Sequence, residues 1–198
     1  AFMACIYGGY FGGAEGVALG LTAAAIVLNQ NYMPAITSLS SVHPFLQCTT
    51  TPEILWAFST ASQALSRNTT LNISSLVRPS SGPGTRTMLL ENAAFTVATT
   101  VSGQSFIQAS MSAAGTSPRH ASGLDVKICG EVARAACGMP RSQANQIVKD
   151  LLAIYEPDLP KKLVGQPFEE VYDLTTIRPT IEWQDTYNGG RKKLIAMG

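Results

Sequence analysis

Apolar segments of two kinds alternate along the first part of the chain. Short segments rich in apolar and β-branched residues predict strands at residues 1–7, 33–41, 69–77 and 105–113. Longer segments with apolar residues at helical spacing predict helices at residues 15–31, 52–66 and 86–102. A strand that leads through a loop into a helix is the repeating unit of a parallel sheet. The pattern therefore predicts an α/β fold built from about four βα units.

The pattern changes after residue 122, where helices follow one another without a strand. Helices are predicted at residues 123–137, 142–156 and 167–173, and a final helix is predicted to begin at Pro179 and to reach Ile195. We therefore divide the chain into βα units at residues 1–122 and a helical C-terminal extension at residues 123–198 that packs on them.

The number of βα units bears on what the chain can form. Closing a (β/α)8 barrel takes eight parallel strands and about 250 residues, and its site lies in the loops after the strands. Half a barrel would leave two sheet edges exposed. The chain begins without Met, in what reads as mid-strand. We expect the back half of a larger barrel, with an open sheet or pairing with another half as the alternatives.

Composition narrows the possible partners. Only 14% of the residues are charged and the net charge is +1, whereas an average soluble domain has roughly a quarter of its residues charged. The low fraction of charged residues favours large buried helical faces or subunit interfaces. The net charge near zero argues against nucleic acid as a partner, and no basic stripe is present in the sequence. The most apolar segment, residues 19–28, is shorter than the roughly 20 residues of a membrane span, so no membrane association is expected.

The chain has four cysteines, at positions 5, 48, 129 and 137, and no CxxC motif. We interpret them as reduced, buried or interfacial thiols of a cytoplasmic protein. Their spacing does not predict a metal site.

Three blocks of residues resemble one known family. They are Tyr7-Gly8-Gly9-Tyr10 with Gly12, Gly13 and Glu15; Ser81-Gly82-Pro83 with Thr85 and Leu89-Leu90-Glu91; and Gly130-Glu131-Val132-Ala133-Arg134-Ala135, continued by Gly190-Arg191-Lys192-Lys193-Leu194. In order and spacing the chain is similar to the C-terminal half of the monomethylamine:corrinoid methyltransferases of methanogens and some anaerobic bacteria.

The resemblance implies a (β/α)8 TIM barrel of about twice this length, usually assembled as a hexamer. It implies methyl transfer from methylamine, or a related methylated amine, to Co(I) of a corrinoid (cobalamin) protein. The corrinoid would be carried by that partner, and this chain would bind no cofactor directly. The family's catalytic pyrrolysine would lie before Ala1, in the N-terminal half of the barrel.

The resemblance also has departures. Where the family has a Glu, a Gln and a Tyr, this sequence has Phe2, Leu76 and Arg78. A cation at position 78 would repel methylammonium by a few kcal/mol, and it could instead bind a carboxylate. The alternatives are therefore a pyrrolysine-free homologue with a different methyl donor, and a non-catalytic homologue that serves in binding or subunit assembly.

The candidate site residues follow from these loops. Tyr10, Arg78, Ser81 and Gly82 are predicted to bind the substrate, with Tyr10 as a wall over a cation. The backbone of Gly8, Gly9, Gly12 and Gly13 could cradle an anion at a helix start. Close packing of the loop on the helix is the favoured interpretation of these glycines.

Other polar residues receive structural interpretations. Glu91, inside an apolar helix, is predicted to be a buried, paired carboxylate. Glu131 and Arg134 are interpreted as a structural ion pair. The two histidines, His43 and His120, each follow a predicted strand, which suits acid/base chemistry, but a solvated loop position is favoured for both.

Overall fold

Four parallel strands form the centre of the fold. The computed structural model describes residues 2–198, with side-chain burial from residue 4 onward. The strands are β1 (Phe2–Ile6), β2 (Thr37–Val42), β3 (Ile73–Val77) and β4 (Phe106–Ser110), and they pair side by side in chain order. Every neighbouring pair is parallel. The predicted α/β fold with a parallel sheet is therefore confirmed.

The helices lie close to their predicted positions. They are α1 (Ala14–Tyr32), α2 (Pro52–Asn68), α3 (Arg86–Val101), α4 (Gly123–Ala136), α5 (Arg141–Tyr155), α6 (Phe168–Val171) and α7 (Ile181–Met197). The second strand begins four residues later than the pattern predicts. Met33 ends α1 in a left-handed conformation, with φ 41°, and Pro34 has no N–H to donate to a ladder.

The C-terminal region contains a feature that the pattern missed. Two short strands, β5 (Tyr172–Asp173) and β6 (Arg178–Pro179), form an antiparallel pair, whereas the sequence predicted helix at residues 172–173 and from Pro179 onward, and no strand in this region. The final helix accordingly starts at Ile181, after Thr180, whose hydroxyl accepts a hydrogen bond from the Trp183 N–H. Pro179 thus belongs to a strand and does not open the helix.

The two faces of the sheet differ. Parallel strands joined in chain order by right-handed crossovers place their helices on one face. Leu39, Ile73 and Val77 point to that face and are buried under the helices. The other face of the sheet is not covered by any helix of residues 2–198. The strand residues that point to this open face include Ser38, Ser40, Leu76, Phe106 and Gln108. This open face leads directly to the loops at the carboxyl ends of the strands.

Helix α3 lies at the centre of the packing. It contacts α2 on one side and α4, α5 and α7 on others, which explains why every side chain from Met88 to Val97 is buried. Phe95 meets Phe58 of α2 edge to face, with ring centroids 5.1 Å apart. Helix α4 contacts both β4 and α3 and thus takes the position of the helix in a fourth βα unit.

Within residues 2–198, no helix combines the length and the apolar character that crossing a bilayer requires.

Candidate functional site at the carboxyl ends of the strands

Glu91 connects two of the loops that follow the strands. Its side chain is fully buried on α3. Its carboxylate accepts hydrogen bonds from the backbone N–H groups of Ser80 (2.7 Å) and Ser81 (3.0 Å) and from the Thr50 hydroxyl (2.5 Å). The prediction of a buried, paired carboxylate is confirmed, with N–H and O–H donors as the partners. Burial raises the pKa of Glu91, and the hydrogen bonds oppose that shift.

Ser81 and Gly82 are packed against other segments of this chain. Both are buried. The Gly82 N–H donates to the Leu163 carbonyl at 2.8 Å, and a Cβ on Gly82 would lie 1.6 Å from the Val164 carbonyl oxygen. Glycine is therefore needed here because a neighbouring backbone segment occupies the space of a side chain. Substrate binding by Ser81 and Gly82 stays a prediction.

Arg78 lies directly after β3, at the rim of the open face. Its backbone is held by two hydrogen bonds with Thr49, each 2.9 Å long. Its half-buried side chain lines a cleft of about 560 Å³ on the open face. The polar residues that line the same cleft are Ser38, Ser40, Ser74 and Gln108. Among the described lining residues Arg78 is the one charged side chain, and no carboxylate of residues 2–198 forms a salt bridge with it.

The sequence departures at positions 76 and 78 share this cleft. Leu76 and Arg78 are two residues apart at the end of β3, so they point to the same face, and both line the cleft. The third departure, Phe2, pairs with Ser38 in the sheet register, and its side chain lies outside the part of the structure that is described.

The glycine-rich loop after β1 is closed by its own backbone. Gly8 donates to the Gly12 carbonyl at 2.8 Å, Gly12 donates to Gly9 at 3.0 Å, and Gly9 donates to Ile6 at 3.1 Å. Gly8 and Gly12 have φ values of 75° and 65°, a region that strongly favours glycine. The N–H groups of Gly8, Gly9 and Gly12 are thus used inside the loop. An anion cradle, with Gly13 included, stays a prediction.

The close packing of this loop on α1 depends on two other glycines. A Cβ on Gly16 would lie 1.7 Å from the Phe11 carbonyl oxygen, and one on Gly20 would lie 2.5 Å from the Phe11 ring. The loop thus packs on α1 through glycines that sequence reasoning did not single out. Tyr10 is fully exposed, and its role as a wall over the substrate stays a prediction.

Each histidine lies near a strand end and has a local partner. His43 stacks on Tyr7, with ring centroids 5.5 Å apart, and its Nδ1 accepts from the Leu46 N–H at 3.2 Å. His120 donates from Nδ1 to the Pro118 carbonyl at 2.7 Å and lines a second cavity of about 510 Å³ beyond β4. Acid/base chemistry at either residue stays a prediction.

Asp125 is a second buried carboxylate, which sequence reasoning missed. It accepts hydrogen bonds from the Ser122 N–H (3.0 Å), the Ser122 hydroxyl (2.5 Å) and the Ser112 hydroxyl (2.5 Å). Ser122 and Asp125 form a capping box at the start of α4, and a Ser followed three residues later by an acidic residue is its sequence signal. Burial raises the pKa of Asp125.

The predicted pair of Glu131 with Arg134 is wrong. Glu131 binds Arg191 of α7 at 2.8 Å and lies 3.8 Å from Lys127. The fold brings the guanidinium of Arg191 across from another helix, which no local spacing reveals. Cys5, Cys48 and Cys129 are buried free thiols, and Cys137 is an exposed one. In residues 2–198 no cluster of three or more His, Cys, Asp and Glu side chains could hold a metal ion.

Sequential parallel strands, helices on one face and polar side chains at the carboxyl ends of the strands define part of the wall of a TIM barrel. The sequence profile for monomethylamine methyltransferase MtmB matches residues 3–198. The chain belongs to the monomethylamine methyltransferase family.

Individual relatives agree with this assignment. The chain is 34% identical to MtmB2 of Methanosarcina acetivorans and 33% identical to MtmB of Methanosarcina mazei, and each match covers 98% of this chain and 42% of the relative. Its fold matches the crystal structure of MtmB from Methanosarcina barkeri with a TM-score of 0.96 and 31% identity, over all of this chain and 43% of that one. The chain thus spans less than half the length of these relatives. The predicted resemblance and the partial TIM barrel are confirmed.

Proposed function

We propose that this chain is part of a corrinoid-dependent methyltransferase, in which it supplies four strands of the barrel wall and the loops at their carboxyl ends. The enzyme would transfer a methyl group from monomethylamine, or a related methylated amine, to Co(I) of a corrinoid protein. The observation that supports this most is the match of the whole chain to the MtmB fold, with a TM-score of 0.96.

The reaction requires positioning more than acid/base chemistry. The N–CH3 bond breaks and a Co–CH3 bond forms, with the electron pair of Co(I) making the new bond. The amine nitrogen keeps the pair of the broken bond. The corrinoid supplies the nucleophile and enters on its own carrier protein, so we assign no directly bound cofactor to this chain.

The contribution of this chain is to hold the loops around the substrate. Glu91 joins the loops after β2 and β3 through the hydroxyl of Thr50 and the N–H groups of Ser80 and Ser81. Asp125 joins the segment after β4 to the start of α4 through Ser112 and Ser122. With these loops fixed, Arg78 determines the charge of the cleft on the open face.

We further propose that an N-terminal half completes the barrel and contributes the catalytic pyrrolysine, and that the protein is a cytoplasmic homo-oligomer, a hexamer by analogy with the family. The edges of the sheet at β1 and β4 support the first part, because strand edges without a neighbour invite pairing. The exposed apolar side chains of α1, Leu19 and Val27, support the second.

The test uses the complete protein with a corrinoid protein reduced to Co(I). Added monomethylamine, or another methylated amine, is expected to convert the absorption spectrum of Co(I) into that of methyl-Co(III). The absence of methylation with every methylated amine tried would contradict the proposal.

The second candidate is a pyrrolysine-free or non-catalytic homologue. The observation that favours it is the lining of the cleft, where Leu76 provides an apolar side chain and Arg78 a cationic one. A non-catalytic homologue would bind the corrinoid protein without methylating it. A coding sequence upstream of Ala1 that carries an in-frame amber codon at a strand end would argue against the pyrrolysine-free version.

A further inference from the structure

We propose that Arg78 binds a carboxylate of the methyl donor, so that the substrate is an N-methylated amino acid and not a simple methylammonium ion. This inference rests on the proposed function and adds the substrate class to it. It begins from the charge of the cleft on the open face.

The cleft combines one cationic side chain with neutral hydrogen-bonding groups and apolar side chains. Arg78 is its one charged side chain among the described lining residues, and the other polar groups there are hydroxyls and an amide. The side chain of Gln108 already donates to Ser74 at 2.9 Å. A guanidinium in such a cleft offers a planar fork of donors that matches a carboxylate in two parallel hydrogen bonds.

Hydrogen bonds hold the backbone of Arg78 in place, so the point from which its side chain extends is defined. The Arg78 N–H donates to the Thr49 hydroxyl, and the Thr49 N–H donates to the Arg78 carbonyl. The loop that follows is anchored by the carboxylate of Glu91. Glu91 is therefore occupied by donors from the loops after β2 and β3. Within residues 2–198, Arg78 forms no ion pair with an acidic side chain.

The positive charge of Arg78 distinguishes between methyl donors that carry the same methyl group but differ in their own charge. Methylammonium is a monocation, which Arg78 repels. An N-methyl amino acid carries both an ammonium and a carboxylate, so the guanidinium has an anionic group to bind. The transferred methyl group leaves a protonated secondary amine in this case. The electron pair of the N–CH3 bond stays on nitrogen, so the product is a neutral primary amine. The electron pair of Co(I) forms the Co–CH3 bond, and the carboxylate of the donor is unchanged.

The test compares N-methylglycine with monomethylamine on the complete protein and on Arg78→Gln. Binding is measured by calorimetry without the corrinoid protein, and methylation is then followed from the Co(I) spectrum. We expect the wild-type protein to bind N-methylglycine more tightly than monomethylamine. Arg78→Gln should weaken binding of N-methylglycine about 100-fold, since it removes a charge-assisted pair, and should leave monomethylamine binding unchanged or tighter.

The matched control is Arg67→Gln, because Arg67 is an exposed arginine at the C-terminal end of α2, away from the cleft. It should change neither affinity. Unchanged N-methylglycine binding in Arg78→Gln, or tighter binding of monomethylamine by the wild-type protein, would overturn the inference. The absence of cobalt methylation with both donors would contradict the proposed function, and the calorimetry would still report on Arg78.

Discussion

Glu91 and Asp125 are buried carboxylates on neighbouring helices, and each accepts hydrogen bonds from segments near a strand end. A buried carboxylate without partners would be strongly destabilising. Here the backbone N–H groups of Ser80, Ser81 and Ser122 act as donors. The consequence is that the loops near Arg78 have defined positions although they carry little regular structure.

The pKa of Glu91 leads to a prediction about pH. Burial raises this pKa above its ordinary value of 4.5, so the folded state binds the proton more tightly than the unfolded state. The resulting stabilisation is complete below about pH 4.5 and is lost as pH rises through the folded pKa, by up to about 1.4 kcal/mol per pH unit. Glu91→Gln removes this dependence. The unfolding free energy of the wild-type protein minus that of Glu91→Gln should therefore fall as pH rises from 5 to 8, as measured by denaturant unfolding.

The control for that experiment is Glu53→Gln, because Glu53 is an exposed carboxylate in the first turn of α2. Asp125 titrates in both proteins and cancels in the difference. Parallel pH profiles for wild type and Glu91→Gln would show that Glu91 does not titrate as its burial implies.

Gly82 provides a prediction about packing. Gly82→Ala would place a methyl group against the Val164 carbonyl oxygen, where a Cβ has 1.6 Å of space. Because a backbone atom has to move, we expect a loss of at least about 2 kcal/mol of unfolding free energy. Gly130→Ala is the matched control, since nothing lies within 4 Å of a Cβ there, and replacing an exposed helical glycine should add about 0.5–1 kcal/mol. Equal effects of the two changes in thermal unfolding would contradict this account.

At the scale of elements, the start of α4 joins the strand layer to the C-terminal helices. Ser122 and Asp125 form its capping box, and the Trp183 indole N–H of α7 donates to the Ser122 hydroxyl at 3.1 Å. The second junction is the salt bridge of Arg191 to Glu131, which joins α7 to α4. Helix α7 is therefore attached to α4 at its N-terminal cap and again in its C-terminal half.

Asp125→Ala tests the first junction. It leaves the Ser122 N–H and the hydroxyls of Ser112 and Ser122 without their acceptor in a buried position. Helix-cap losses and unsatisfied buried donors together should lower the unfolding free energy by about 2–4 kcal/mol. Asp185→Ala, on the exposed face of α7, should change it by less than about 0.5 kcal/mol. Thermal or denaturant unfolding distinguishes the two, and a small loss for Asp125→Ala would show that the capping box is dispensable.

At the scale of the whole molecule, α1 is apolar on both its inner and its outer side. Val17, Leu21 and Ala25 are buried toward the sheet. Leu19, Ala23 and Ile26 are separated by four and three residues, so they form one stripe on the other side. Leu19 is 73% exposed. A helix that is apolar all round is usually covered on both sides, and a neighbouring barrel helix would lie beside α1 and not over this stripe.

This stripe predicts where the subunits of an oligomer meet. In the complete protein, the double substitution Leu19→Lys and Ile26→Lys should shift the molecular mass measured by light scattering to a smaller species, because burying lysines without partners is unfavourable. Val126→Lys is the control, since Val126 is an exposed apolar residue on α4. An unchanged mass for the double variant would place the subunit contacts elsewhere.

The helices and the strand order were predictable because they depend on neighbours in sequence. Apolar spacing placed α1 and α3 to within one residue at each end, and the order of strands with crossover helices implied a parallel sheet. The pattern failed at β5 and β6. A two-residue strand has no periodicity, and its pairing depends on a turn and not on an apolar face.

The site was predictable only in part. A carboxylate in an apolar helix has to find donors, so the burial of Glu91 followed from the sequence, whereas the identity of Ser80, Ser81 and Thr50 as its donors did not. Asp125 had a local signal in its capping box, because Ser122 precedes this acidic residue by three positions.

By itself the sequence determined that four strands alternate with helices in a parallel sheet, approximately where the long helices lie, and the family to which the chain belongs. Those properties depend on spacing along the chain. Only the tertiary structure decided that Glu131 binds Arg191 and that Leu76 and Arg78 share a cleft with Ser38 and Ser40. The reason is physical: ion pairs and hydrogen bonds depend on short distances between groups that lie far apart in sequence, and only the packed fold determines those distances.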